Sequence, residues 1–319
     1  MIEVRGLTKR FRGRAAVEDL TFSVQPGTVT GFLGPNGSGK TTTARMILGL
    51  TQPDAGTATI GGHCYRDLPH PLREIGALIN PGAVNPARSA LDHLRWLAAA
   101  NRIPAARAET VLAQVGLDAV ADRRVGAFSL GMRQRLGIAA ALIGDPAVLL
   151  LDEPINGLDP EGIRWIRTFM QSLAAEGRTV LVSSHLMSEM ALTASELIVI
   201  GRGRLVAAES VASFTARVDS SVRVRTPQLD VLAAALTTEG ATVWRENDTL
   251  DVVGLPIEQI GAVAANIGAV LYELSPQQAS LEDAFMHLTS AECEYVVEQV
   301  PATEVTGLEE VTGLEELAA

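Results

Sequence analysis

Gly34-Pro35-Asn36-Gly37-Ser38-Gly39-Lys40-Thr41 follows the apolar run Val29-Thr30-Gly31-Phe32-Leu33 and leads into Thr42-Thr43-Ala44-Arg45-Met46-Ile47-Leu48. The first run reads as a buried strand, the glycine-rich stretch as a tight turn, and Lys40 to Leu48 as a helix. The octet fits G-x-x-x-x-G-K-[ST] in its required strand–turn–helix context. Glycines let successive backbone N–H groups turn inward around a phosphate, and the helix N-terminus adds the positive end of its dipole. Lys40 can then reach the β- and γ-phosphates, Thr41 can offer its hydroxyl to Mg²⁺, and Thr42 is placed to bond the α-phosphate. Gly34, Pro35, Asn36, Gly37, Ser38 and Gly39 form the expected cradle. The bland alternative is a glycine-rich turn with an incidental lysine. Of the 26 basic residues only Lys9 and Lys40 are lysines, so an arginine-preferring chain has kept a lysine here.

Outward from this loop, short apolar strands alternate with helical patterns: Thr57–Ile60, Ile75–Ile79, Val148–Leu151, Thr179–Ser183 and Leu197–Ile200. The unbroken runs Val148-Leu149-Leu150-Leu151 and Val180-Leu181-Val182 suit parallel strands covered on both faces. Between Leu91 and Leu142 the periodicity is helical, which predicts a helical insertion in an α/β core, over about 85–145. Gly201-Arg202-Gly203-Arg204 reads as a hairpin turn. Asp152 and Glu153 follow the Val148–Leu151 strand. Asp152 is placed to hold Mg²⁺ through water, and Glu153 to polarise an attacking water.

A second unit follows. Its pattern is strand Ser221–Thr226, helix Leu229–Thr238, strands Ala241–Arg245 and Thr249–Val253, helix Ile257–Ile267 and strand Ala269–Leu274. That order, β-α-β-β-α-β, is ferredoxin-like. A short helix, Leu281–Leu288, would close the unit. The expected division is therefore 1–215, 216–290, and an acidic disordered tail over 291–319.

Composition bounds the function. Apolar residues make up 47% of the 319, enough for a sizeable core, and the net charge is −11. Residues 280–319 hold ten acids and no Lys or Arg, so the rest is near neutral. Neither part offers the basic surface of a general nucleic-acid binder. Cys64 and Cys293 form neither a disulfide framework nor a zinc pattern. No run reaches the length of a membrane span, and the first residues lack a signal peptide's apolar core. His63, His70, His93 and His287 have no metal spacing, and the Trp and Met residues read as packing. These features predict a soluble cytoplasmic chain whose membrane role, if any, runs through a partner.

Further motifs carry a family resemblance. Phe128-Ser129-Leu130-Gly131-Met132, followed by Arg133-Gln134-Arg135, resembles the signature motif of ATP-binding cassette ATPases. Asn156-Gly157-Leu158-Asp159 resembles their D-loop, and Ser183-Ser184-His185 their switch histidine. The motifs stand in family order over residues 1 to about 205. The pattern is most similar to single-cassette ATPase subunits of bacterial drug and antibiotic exporters, the daunorubicin-resistance type. The resemblance implies a P-loop NTPase fold of the cassette type, ATP and Mg²⁺ as ligands, and hydrolysis coupled to transport. It also implies a head-to-tail homodimer under a separate multi-span permease at the cytoplasmic face of the cell membrane.

The resemblance implies that Ser129 and the Gly131 N–H would bind the γ-phosphate across the dimer interface, with Asp159 in the D-loop, and that His185 would support the transition state beside Glu153. It also implies that Phe11 would stack on adenine, with Val17 lining the same pocket. Position 80 is Asn where the family usually has Gln, and its side-chain carbonyl would serve Mg²⁺ in shortened form. Leu130 and Met132 replace a usual Gly and Gln. Two rivals are a soluble cassette ATPase acting on ribosomes or DNA, and an ATP-bound switch with little turnover. The chain has one cassette and no sustained heptads or zinc cysteines, which argues against the first. The presence of both Glu153 and His185 argues against the second.

Overall fold

Val148-Leu149-Leu150-Leu151 is apolar at every position because both of its faces are covered: Leu149 and Leu151 enter one core, Val148 and Leu150 another. The same splitting holds for the neighbouring strands. The computed structural model describes residues 1–216, 221–277 and 280–289. In chain order the elements begin with β1 (Ile2–Phe11), β2 (Arg14–Val24), β3 (Val29–Leu33), α1 (Lys40–Ile47), β4 (Ala55–Ile60), α2 (Pro71–Glu74) and β5 (Ile75–Leu78). Then come α3 (Ala90–Ala100), α4 (Ala106–Gln114), α5 (Leu130–Leu142), β6 (Val148–Asp152), α6 (Pro160–Ala175), β7 (Thr179–Ser184) and α7 (Met187–Thr193). The chain continues through β8 (Glu196–Gly201), β9 (Arg204–Ser210), α8 (Val211–Thr215), β10 (Ser221–Arg225), α9 (Leu229–Thr238), β11 (Thr242–Glu246) and β12 (Thr249–Val253), and closes with α10 (Ile257–Asn266), β13 (Glu273–Gln277) and α11 (Leu281–Thr289).

The central sheet has the order β5-β6-β7-β3-β8-β9, parallel except for the antiparallel edge pair β8–β9. Helices α3 to α6 cover one face. The other is covered by α1 and a separate antiparallel sheet, β2-β1-β4, whose Ile2, Val4, Leu7, Val17, Leu20 and Phe22 face inward. β4, which contains the expected strand Thr57–Ile60, pairs with β1 outside the central sheet. The helical insertion falls between β5 and β6, as expected, and shares its apolar core with the sheet.

The third sheet, β11-β12-β10-β13, is wholly antiparallel and joins α9 and α10 in a core of its own. Its element order and strand order are those of a ferredoxin-like unit. β13 lies some residues later than the predicted Ala269–Leu274. The segment from Ala269 caps α10 through Ala269 N–H to the Ala264 carbonyl, and pairing starts at Glu273. β13 contains Pro276, which is tolerated because the strand is at the sheet edge.

α11 does not close this unit. Leu281, Ala284 and Phe285 are buried in the first core, with Phe214 of α8 and Met187 and Met190 of α7. Phe285→Ala should therefore destabilise the cassette, by about 3–5 kcal/mol for a buried Phe. Guanidinium unfolding followed through Trp165, with Trp96 and Trp244 replaced by Phe, measures this. An unmoved transition would mean that α11 only rests on the surface. The expected disordered tail, 291–319, lies outside the described residues.

Candidate functional site

The strand order accounts for the site. β6, β7 and β3 are adjacent, so the residues after their C-terminal ends meet: the 34–41 loop after β3, Asp152 and Glu153 at the end of β6, and His185 after β7. Ligands of open α/β sheets bind at this edge. A cleft of about 440 Å³ lies there, lined by Ala16, Asn36 to Thr42, Glu153, Asn156 and His185.

The loop is held in shape from inside. Gly39 has φ +103, and a side chain there would collide with the Ala16 carbonyl oxygen at 2.5 Å. As the residue before α1 it offers no side-chain cap, so the first N–H groups of the helix stay open toward the cleft. Lys40 is buried, and its ammonium donates to the carbonyls of Gly34 (2.5 Å) and Pro35 (3.2 Å). Burial pushes the Lys40 pKa below the ordinary lysine value, while the Glu153 and Asp152 carboxylates pull it back up. Ser38 Oγ is buried without a hydrogen-bond partner, on the wall of the cleft. Such an orphan is costly unless a ligand serves it.

The acidic pair divides its work. Asp152 is 8% exposed and accepts from the Thr41 hydroxyl at 2.9 Å and from the Ser183 hydroxyl. Glu153 turns into the cleft, where its Oε2 lies 2.8 Å from His185 Nδ1. Its backbone N–H donates to the carbonyl and to the hydroxyl of Ser183, each at 3.1 Å.

Other expected residues fall elsewhere. Val17 is fully buried in the second core, and Ala16 takes its place on the cleft wall. Phe11 is half exposed at the β1–β2 turn with the Lys9 ammonium 5.6 Å from its ring centre, outside the cleft lining. Asn80 does not reach the cleft either. Its side-chain oxygen accepts from Gly82 N–H at 2.9 Å, a local turn of the kind asparagine favours. A role of Asn80 toward Mg²⁺ therefore rests on the family resemblance and not on the cleft geometry. Ser129 and Asp159 are exposed N-caps of α5 and α6, accepting from Met132 N–H and Gly162 N–H. With Gly131 they lie outside the cleft of their own chain. The Leu130 side chain rests on Gly157, whose φ of +77 and lack of a side chain make room for it.

The sequence does not show Ala16 on the cleft wall, the Ser183 hydroxyl donating to Asp152 and accepting from Glu153 N–H, or the burial of Gln134. Ser183 was visible inside the switch motif. Gln134 stands between Arg133 and Arg135, a polar setting that hides its burial.

Residues 17–156 match a family model described as ABC transporter, and 220–282 match one described as a domain of unknown function. The chain is 35% identical over 300 residues to a Bacillus subtilis (strain 168) protein described as an uncharacterized ABC transporter ATP-binding protein, covering 91% of this chain and 96% of that one. It is 40% identical over 209 residues to the bacitracin transport ATP-binding protein of Bacillus licheniformis, covering 65% and 68%. A solved structure described as the ATP-binding subunit of an ABC transporter superposes with a TM-score of 0.62 at 26% identity, covering 68% of this chain and 92% of that one.

Proposed function

From the premise that the chain belongs to the ABC transporter ATP-binding subunits, we propose that two copies act together under a separate multi-span permease and export drugs or antibiotics. The subunit binds and hydrolyses ATP; the dimer, the permease, the Mg²⁺ ligands and the cargo are the finer reading. The bacitracin-transport relative supports the cargo class. Among the described residues no helix is long and apolar enough to cross a membrane, which fits a peripheral subunit held to the cytoplasmic face by its permease.

One observation carries this reading. The phosphate loop, Glu153 and His185 share one cleft, with Asp152 buried beneath it on the Thr41 hydroxyl, while the signature residues lie outside the cleft, Ser129 exposed and Gly131 half-buried. A second copy, arranged head to tail, would bring its Ser129 hydroxyl and α5 N-terminus to the γ-phosphate in this cleft. The site is complete only in the pair.

The chemistry follows from the residues. The Lys40 ammonium exchanges its loop carbonyls for β- and γ-phosphate oxygens. Thr41 and Asp152 offer only hard oxygen donors, which fit Mg²⁺; when bound, that ion neutralises charge on the β- and γ-phosphates. Water attacks the γ-phosphorus as the bond to the β–γ bridging oxygen breaks. Glu153 accepts the proton of that water, and His185 orients the carboxylate through its 2.8 Å contact.

Residues 1–215 are proposed as the cassette and 216–290 as an accessory domain, with α11 returned to the cassette core. Pulling down a tagged chain from detergent-solubilised membranes of its host tests the reading. The expected result is a co-purifying multi-span membrane protein that raises ATPase activity in lipid. Recovery of ribosomes or nucleic acid, with no membrane protein, would overturn the transport reading.

A further inference from the structure

We infer that Gln134 is a positioning residue for hydrolysis: it holds the Glu153 backbone so that the carboxylate faces the cleft, and thereby ties the signature helix to the catalytic carboxylate of the same chain. The inference rests on Glu153 being the base. Glu153 has φ 51, in the left-handed region, although it is not glycine and precedes Pro154. Both facts make the conformation unfavourable, and such geometry persists only where its surroundings over-determine it. Two groups do so here. Ser183 takes the Glu153 N–H. Gln134, 1% exposed in the middle of α5, donates its side-chain N–H to the Glu153 carbonyl oxygen at 3.1 Å.

That carbonyl fixes the plane of the peptide joining Glu153 to Pro154. The plane in turn sets the direction in which the Glu153 side chain leaves the backbone. The start of α5 lies flush against the same loop: Leu130 packs on Gly157, and a side-chain carbon on Gly131 would stand 3.2 Å from the Gly157 carbonyl oxygen. A shift of α5 is therefore transmitted to residues 153–157. Ser129, the exposed N-cap of that helix, lies outside the lining of its own cleft, so the link joins the two nucleotide sites of the proposed pair.

Two variants test this. Gln134→Met keeps length and volume but removes the donor. Gln134→Glu keeps the shape, and its carboxyl can donate only when protonated. The expected result is a fall in kcat of about a hundredfold for Gln134→Met, the loss that a misplacement of about 1 Å brings. The KM for ATP and the affinity for a fluorescent trinitrophenyl-ATP should stay close to the parent's. The kcat of Gln134→Glu, relative to the parent at each pH, should rise as the pH falls and the carboxyl becomes a donor. Parent-like kcat in Gln134→Met, or a parallel loss of kcat and nucleotide affinity there, would overturn the inference. So would a Gln134→Glu kcat that stays far below the parent's at every pH, including pH low enough to protonate the carboxyl, which decides the matter even if Gln134→Met fails to fold. Glu153→Gln assayed beside them separates the two readings: parent-like turnover there removes Glu153 as the base, whereas loss there with intact Gln134 variants removes only the positioning role.

Discussion

Lys40→Ala should lower ATPase activity by at least about 10²–10³-fold, the loss seen when one preorganised donor to developing charge is removed from a water-poor site. ATP affinity should fall with it, because the β- and γ-phosphate charge loses its only lysine. In the structure the Lys40 ammonium is the donor to the Gly34 and Pro35 carbonyls, so its removal also leaves two loop acceptors without their cation. Lys40→Met, which keeps the bulk of the side chain, should show the same loss. Phosphate release and equilibrium dialysis with ATP measure the two effects. Parent-like hydrolysis in both variants would remove the phosphate-loop assignment.

Glu153→Gln should separate binding from turnover. The amide cannot accept the proton of the attacking water, so kcat should drop by about 10²–10⁴-fold, the range for general-base catalysis. The phosphate loop and Asp152 are untouched, so ATP should still bind. An ATP-loaded pair should then accumulate, visible as a larger species in gel filtration with ATP. A variant that turns over at the parent rate and stays monomeric with ATP would contradict both the base and the dimer.

The nucleotide chemistry was legible in the sequence because its parts are contiguous: 34–41, 152–153 and 183–185 are each a short run at a strand end. The strands that carry them read clearly too, since a strand buried on both faces is apolar throughout. The β1–β2 pair was not legible. In β1 inward Ile2 and Val4 alternate with Glu3, but the pattern then shifts at Arg5–Gly6, and β1 shows register shifts against both neighbours. Such irregularity destroys the period of two on which a strand is read. Non-local partners were hidden for a different reason. Nothing near Gln134 in sequence announces that its amide meets a carbonyl 19 residues away. The Asn80 side chain likewise meets a partner in its own loop, Gly82 N–H, that the motif does not announce. α11 was assigned to its sequence neighbours, whereas its apolar face matches the cassette's α7 and α8.

That last placement bears on biosynthesis. A ribosome delivers Phe214, then the whole of the ferredoxin-like unit, and only then Leu281, Ala284 and Phe285. Until those three arrive, the nascent cassette carries an open apolar seam along α7 and α8. Chaperone capture or premature association would begin at that seam. The same order constrains inheritance: a recombination event that exchanged the accessory unit together with α11 would leave a cassette without its seal. One that exchanged only residues between α8 and α11 would pass the unit on as a cassette-neutral module.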